Sequence, residues 1–173
     1  MTLRVSPPAR VRSPLRVRSP LRVEVRSSLR SSVPSSARIA RWARAATGAR
    51  GRGEELAVRI VGTAEGRKLN LLWRGRDYPT NVLSFPAPRL GRAAGTRPLG
   101  DIVLCAPVIE REARKQRKCS DAHWAHMVVH GCLHLLGLDH EQEADARRME
   151  RRERRILAGF GIADPYLETT ESA

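Results

Sequence analysis

The sequence predicts an α+β fold, a small mixed sheet with helices packed on it. Three observations predict it. Runs with partial apolar–polar alternation stand at 55–62 (ELAVRIVG), 81–85 and 100–105, the period of strands with one buried face. Other stretches carry apolar residues three and four apart, the period of amphipathic helices. The two kinds of segment do not alternate regularly, which argues against a doubly wound parallel sheet. The chain has 173 residues, a single-domain length with enough chain for a real core. Only 4% of residues are aromatic against 41% hydrophobic, so aliphatic packing dominates.

Residues 1–33 repeat RVRSPL at 10–15 and 16–21, with RVEVRSSL at 22–29 a looser copy. Such a segment cannot bury enough apolar surface to offset its ordering entropy, so it reads as a disordered Arg/Ser/Pro-rich extension. An electrostatic arm, an organelle transit peptide and a dispensable extension are its open readings. The folded domain is expected over 34–167, with 168–173 a tail. A helix is expected over 36–46, with Ile39 and Trp42 on one face. The strand at 55–62 leads to a helix from 63 or 64 to 73, with Leu69 and Leu72 inward. Strands 81–85 and 100–105 flank a Gly/Pro/Arg-rich loop at 86–99. Residues 107–116 read as helix, and Ser120 or Asp121 caps a long helix reaching Leu136. The last helix, 141–158, stops at Gly159. Its arginines are interleaved with Glu143, Asp145, Glu150 and Glu153, the pattern of a solvated helix with i,i+4 ion pairs.

The net charge of +14 invites a nucleic-acid reading, but its distribution removes most of that signal. Residues 1–50 hold twelve arginines against one acid, Glu24, a net +11; the remainder holds twenty basic against seventeen acidic residues, a net +3. No apolar stretch approaches the ~20 residues of a membrane-spanning helix. No secretory signal is recognisable either, so a cytoplasmic location is the expectation. Cys105, Cys119 and Cys132 show no metal-type pairing and read as packing residues in a reducing compartment.

The chemistry lies in His130-Gly-Cys-Leu-His134-Leu-Leu-Gly137-Leu-Asp139-His140. Two histidines four apart on a helix sit one turn above each other, so their rings can converge on one ion. Gly137 lets the chain leave the helix with positive φ and return His140 as a third ligand. Three nitrogens plus a water make the open tetrahedral site of a catalytic zinc, one ion per chain. Ligand and glycine spacing equal those of one metallopeptidase group, whose general-base Glu follows the first His. Here that position is Gly131, which argues against peptide hydrolysis. His126 is a rival ligand, but it lies about 12 Å along the helix axis from His134. It is read as a supporting or packing residue, and His123 as a surface residue. Asp139 is a candidate fourth ligand or a group orienting a ligand.

The same residues, with flanking runs, closely resemble the YbeY family, bacterial endoribonucleases of ribosomal RNA maturation. The matching runs are WRGRDYPTNVLSFP at 73–86, LGDIVLC at 99–105, AHWAHMVVHGCLHLLGLDH at 122–140, and the Asp-Pro-Tyr ending at Tyr166. The resemblance covers about residues 35–167. It implies a compact α+β fold with the zinc site in a cleft at the end of a central helix, zinc held by His130, His134 and His140, and an important arginine at Arg74. It also implies single-stranded RNA as substrate, including the 3′ end of 16S ribosomal RNA, in ribosome quality control. The small ribosomal subunit and its assembly factors are the implied partners. Read alone, an arginine in a turn is more often solvated, though a guanidinium suits charge on a phosphate. Asp77 is a candidate to orient Arg74, and Asn81 and Ser84 to line the cleft, against turn capping and strand packing. Asp101 is a turn cap or a cleft carboxylate. The alternative function is a ribosome-assembly binding factor with a mainly structural zinc.

Overall fold

The computed structural model describes residues 19–29, 33–88, 97–138 and 142–167. The expectations for residues 1–18, the middle of the 86–99 loop, Asp139, His140 and the 168–173 tail fall outside them. The order is β1 (Arg22–Ser27), α1 (Ser36–Thr47), β2 (Glu54–Val61), α2 (Thr63–Arg74), β3 (Val82–Pro86), β4 (Arg97–Cys105), α3 (Ala106–Lys115), α4 (Ser120–Leu135) and α5 (Glu143–Ala158). The strands form one mixed sheet in the order β1-β2-β4-β3. β1, β2 and β4 run parallel, and β3 is antiparallel to β4.

The α+β prediction holds, and its N-terminal boundary is corrected. Residues 22–27, assigned above to the disordered extension, form β1, paired with β2 from Arg22↔Glu55 to Ser27↔Ile60. Val23 and Val25 alternate with Arg22, Glu24 and Arg26, so their apolar side meets the core while the charges stay wet. Leu21, just before the strand, is buried. The pieces β1, α1 and β2 therefore make a parallel β–α–β unit, which the composition of the arginine-rich repeat hides.

One sheet face carries Leu56, Val58, Ile60, Ile102 and Leu104 against Ile39 and Trp42 of α1 and Trp124, Val128 and Leu133 of α4. Ser35 caps α1, accepting from the Arg38 N–H at 3.4 Å. The opposite face carries Val61, Leu83, Val103 and Cys105, covered by α2 through Leu69. Leu72, expected to face inward, is 68% exposed. The buried side of α2 is instead Gly66, Leu69 and Asn70. A Cβ on Gly66 would stand 2.9 Å from Cys105 Sγ, so glycine there lets the helix lie close to the sheet. Asn70 Nδ2 donates to the Tyr78 carbonyl at 2.6 Å, which fixes the turn after the helix.

The start of α4 also differs. The helix begins at Ser120 without a side-chain cap, because Ser120 Oγ donates to Glu110 Oε1 at 2.7 Å and Asp121 pairs with Arg38. Cys105 and Cys132 are buried as expected, whereas Cys119, at the helix entrance, is exposed. His123 is not a surface residue: it is 3% exposed, with Nε2 3.0 Å from Glu112 Oε2. Among the described residues no helix is long and apolar enough to cross a membrane.

Candidate metal centre

The central helix α4 is buried along most of its length, so its histidines are held by core packing. His126, His130 and His134 recur every four residues on one face, and their rings are edge-on to one another. The Nε2 atoms of His130 and His134 lie 3.1 Å apart. An ion bonded to both at ~2.1 Å and a tetrahedral angle requires a separation of about 3.4 Å, so the pair fits a shared metal. Gly137 follows with φ +79°, the left-handed turn expected after the helix. The third predicted ligand, His140, lies outside the described residues.

The other nitrogen of His130 faces α5. Its Nδ1 is 2.9 Å from Glu153 Oε1, and Glu153 is fully buried. The second carboxylate oxygen accepts from the Tyr166 hydroxyl and lies 3.4 Å from His126 Nε2. That last distance is within ion-pair range but off the hydrogen-bond line, and both ring nitrogens of His126 lack a hydrogen-bond partner. Burial alone would raise the Glu153 pKa. The contacts with His126, His130 and Tyr166 outweigh it and pull the carboxyl down to about 2.

The sequence reading placed Glu153 among the solvated acids of α5, and this is corrected. Met149, Glu153 and Leu157 form the buried stripe of the helix at i, i+4 and i+8. A lone acid in the middle of an apolar stripe was the available signal; the surrounding Arg/Glu pattern masked it. Elsewhere the helix does pair its charges, Arg147 with Glu143 at 2.9 Å and Arg154 with Glu150 at 3.2 Å.

Donor atoms of His126, His130 and Glu153 lie within 4.8 Å of one another, so this trio also could hold a metal ion. It shares His130 with the His130–His134 pair. In this trio Glu153 Oε2 is already engaged by the Tyr166 hydroxyl and Oε1 by the 2.9 Å contact with His130 Nδ1.

Gly131 stands where the peptidases keep their carboxylate, and it faces the sheet. A Cβ there would sit 3.1 Å from Ile102 Cδ1 and 3.2 Å from Ser84 Oγ. No acid reaches the metal side from this position. Ser84 Oγ donates to the Gly131 carbonyl at 3.2 Å, so its role is to pack β3 on α4.

Arg74 is the last residue of α2 and is exposed, with Gly75 (φ +67°) capping the helix. Asp77 does not orient it. Its carboxylate takes both Arg67 Nε and Nη2, at 2.7 and 2.6 Å. Neighbouring Trp73 has its ring centroid 5.5 Å from that of Phe85, which registers with Asp101. On the other face, Leu135 of α4 approaches Gly100 next door. The C-terminal ends of α2 and α4 therefore converge on one end of the β3–β4 hairpin from opposite faces. Asn81 does not join them: its Nδ2 donates to Glu112 Oε2 at 3.0 Å, beside His123. Asp101 lies within β4, so it caps no turn. It borders a groove of about 610 Å³ with Arg26, Arg59, Trp73 and Phe85, on the sheet face away from α4.

Fold and site together define an α+β protein whose central helix carries a histidine cluster, with Glu153 beside it, that could hold a metal ion. A family model described as Endoribonuclease YbeY matches residues 27–161, and the chain belongs to that family. Curated relatives named Endoribonuclease YbeY include one from Alkalilimnicola ehrlichii, 59% identical over 141 residues, covering 79% of this chain and 84% of that protein. Another, from Halorhodospira halophila, is 55% identical over 140 residues, covering 80% and 91%. The solution structure of TM1509 from Thermotoga maritima has the same fold, with TM-score 0.50 and 22% identity over 85% of this chain and 99% of that one.

Proposed function

We propose that this chain is a zinc-dependent endoribonuclease of single-stranded RNA. The observation carrying the reading is the 3.1 Å approach of His130 Nε2 and His134 Nε2, in a chain whose relatives are named endoribonucleases. His130, His134 and His140 are the proposed zinc ligands, one ion per chain. Zinc, when bound, supplies a Lewis acid that polarises a phosphate oxygen or acidifies a water.

The remaining work falls to the protein's own groups. Arg74 offers a fixed, planar set of donors to the charge that develops on the scissile phosphate. Its helix end is held by Gly75, by the Asn70–Tyr78 hydrogen bond and by Trp73 against Phe85. Gly131 supplies no carboxylate, so the peptidase proton acceptor has no counterpart at that position. The proposed biological substrate is the 3′ end of 16S ribosomal RNA, in maturation and ribosome quality control in the cytoplasm. The small ribosomal subunit and its assembly factors are the proposed partners.

Kinetics of Arg74→Ala and Arg74→Lys on single-stranded and duplex RNA test the assignment. The alanine variant is expected to lose on the order of 10²- to 10³-fold in kcat at unchanged zinc content. Lysine should recover part of it, since charge returns without bidentate geometry. Cleavage by Arg74→Ala at the parental rate removes Arg74 from the mechanism. Zinc bound without cleavage of any RNA would point to an assembly factor with a structural zinc.

A further inference from the structure

We propose that Glu153 and Tyr166 are positioning residues that set which nitrogen of His130 faces the metal, tying metal affinity to docking of the C-terminal segment 160–167. The inference rests on the reading that His130 and His134 hold zinc. A carboxylate buried without partners is strongly unfavourable, so Glu153 is held by what donates to it. An ionised carboxylate only accepts hydrogen bonds. His130 Nδ1, 2.9 Å from Glu153 Oε1, therefore carries the ring proton. The Nε2 lone pair is then the one that points along α4 toward His134 Nε2.

The second carboxylate oxygen is held from outside the helix pair. Tyr166 donates its hydroxyl to Glu153 Oε2, so the carboxylate is fixed between α4 and the chain after α5. That chain is itself anchored at several points. Gly161 (φ +72°) turns it back, and Ile162 N–H donates to the Leu157 carbonyl at 3.1 Å. Lys118 Nζ donates to the Pro165 carbonyl at 2.5 Å. Asp164 accepts from the Tyr166 N–H at 2.9 Å and pairs with Arg154 Nε at 2.8 Å, while the Arg154 guanidinium lies 5.0 Å from the Tyr166 ring. The Asp-Pro-Tyr run at 164–166 thereby acquires a physical role: it delivers one hydroxyl to one buried carboxylate. His126, edge-on to both Tyr166 and His130, packs the space between them.

Zinc affinity by chelator competition, measured on the full chain, tests the relay. The variants are Glu153→Gln, Tyr166→Phe, His126→Ala and His134→Ala. The relay predicts a fall on the order of 10- to 100-fold for Glu153→Gln, and a loss toward the lower end for the half-exposed Tyr166→Phe. The Co²⁺ absorption spectrum should keep its shape in both, because the ligands are unchanged. Imidazole ¹⁵N shifts of the zinc-free protein should show His130 protonated at Nδ1 in wild type, with that preference weakened in Glu153→Gln. A merely structural role would move the melting temperature and leave the tautomer alone. Parental affinity in both Glu153→Gln and Tyr166→Phe overturns the proposal. So does a changed Co²⁺ spectrum in Glu153→Gln together with metal loss in His126→Ala, which would make the trio of His126, His130 and Glu153 the ligand set. His134→Ala is the separate control: retained zinc there contradicts the underlying site, whereas lost zinc with an indifferent Glu153→Gln contradicts only the relay.

Discussion

Ser84 donates its hydroxyl to the Gly131 carbonyl at 3.2 Å, and the same oxygen stands 3.2 Å from where a Gly131 Cβ would be. The helix that carries the histidines is therefore seated on β3 through a residue that must stay small. Gly131→Ala is expected to be nearly neutral, since ~1 kcal/mol of helix propensity offsets slight crowding of the Ile102 side chain and the Ser84 hydroxyl. Gly131→Glu, which recreates the peptidase sequence pattern, should cost about 3 kcal/mol or more by forcing a charge against the sheet. Denaturant unfolding of both variants checks this. A stable Gly131→Glu protein would mean that α4 sits differently on the sheet.

β1 makes a second prediction. A chain beginning at residue 34 loses buried Leu21 and half-buried Val23 and Val25. It also exposes the edge of β2. Compared with a chain beginning at residue 19, it should be roughly 3 kcal/mol or more less stable. Equal thermal unfolding of the two would show that β1 contributes nothing.

How much was readable beforehand follows from where each signal lives. The His130–His134 spacing and Gly137 were legible because helix periodicity and positive φ are local properties. The strands at β2, β3 and β4 were legible from alternation. β1 was not, because its Val23 and Val25 are embedded in an arginine-rich repeat whose composition resembles disorder, and only pairing with β2 reveals them. Glu153 was missed for a similar reason: four arginines and an acid surround it in 150–155, and its burial depends on α4 across the interface. His123 was assigned to the surface because nothing local announces Glu112 eleven residues earlier. Pairing of Asp77 with Arg67 instead of Arg74 likewise depends on how the α2 turn folds back.

The pair of buried His123 and half-buried Glu112 carries a pH prediction. Burial raises the Glu112 pKa, but hydrogen bonds from His123 and Asn81 outweigh it, so the folded value lies below the usual carboxylate range. A depressed folded pKa gives stability that is fully present above the unfolded value near 4.5 and is lost as pH falls below it. Unfolding free energy measured from pH 7 down to 3 should fall less steeply in Glu112→Gln than in wild type. Parallel curves would show that Glu112 takes no part in acid sensitivity.

Cysteine labelling separates the three thiols. Burial pushes the Cys132 thiol up to about 12, and Cys105 is raised by the same cause. Cys119 is exposed at the entrance to α4. An aromatic disulfide reagent at pH 8 should titrate one thiol per native chain quickly, and three only after denaturation. Rapid reaction of all three in the native protein would contradict the packing of α4 on the sheet.

The most direct test of the central claim pairs metal content with RNA cleavage in the full chain, wild type and His134→Ala, in metal-free buffers with a peptide substrate as control. The account predicts about one zinc per chain and cleavage of single-stranded RNA but not peptide, with both zinc and cleavage lost in His134→Ala. A His134→Ala protein that still holds zinc and still cuts RNA would contradict it.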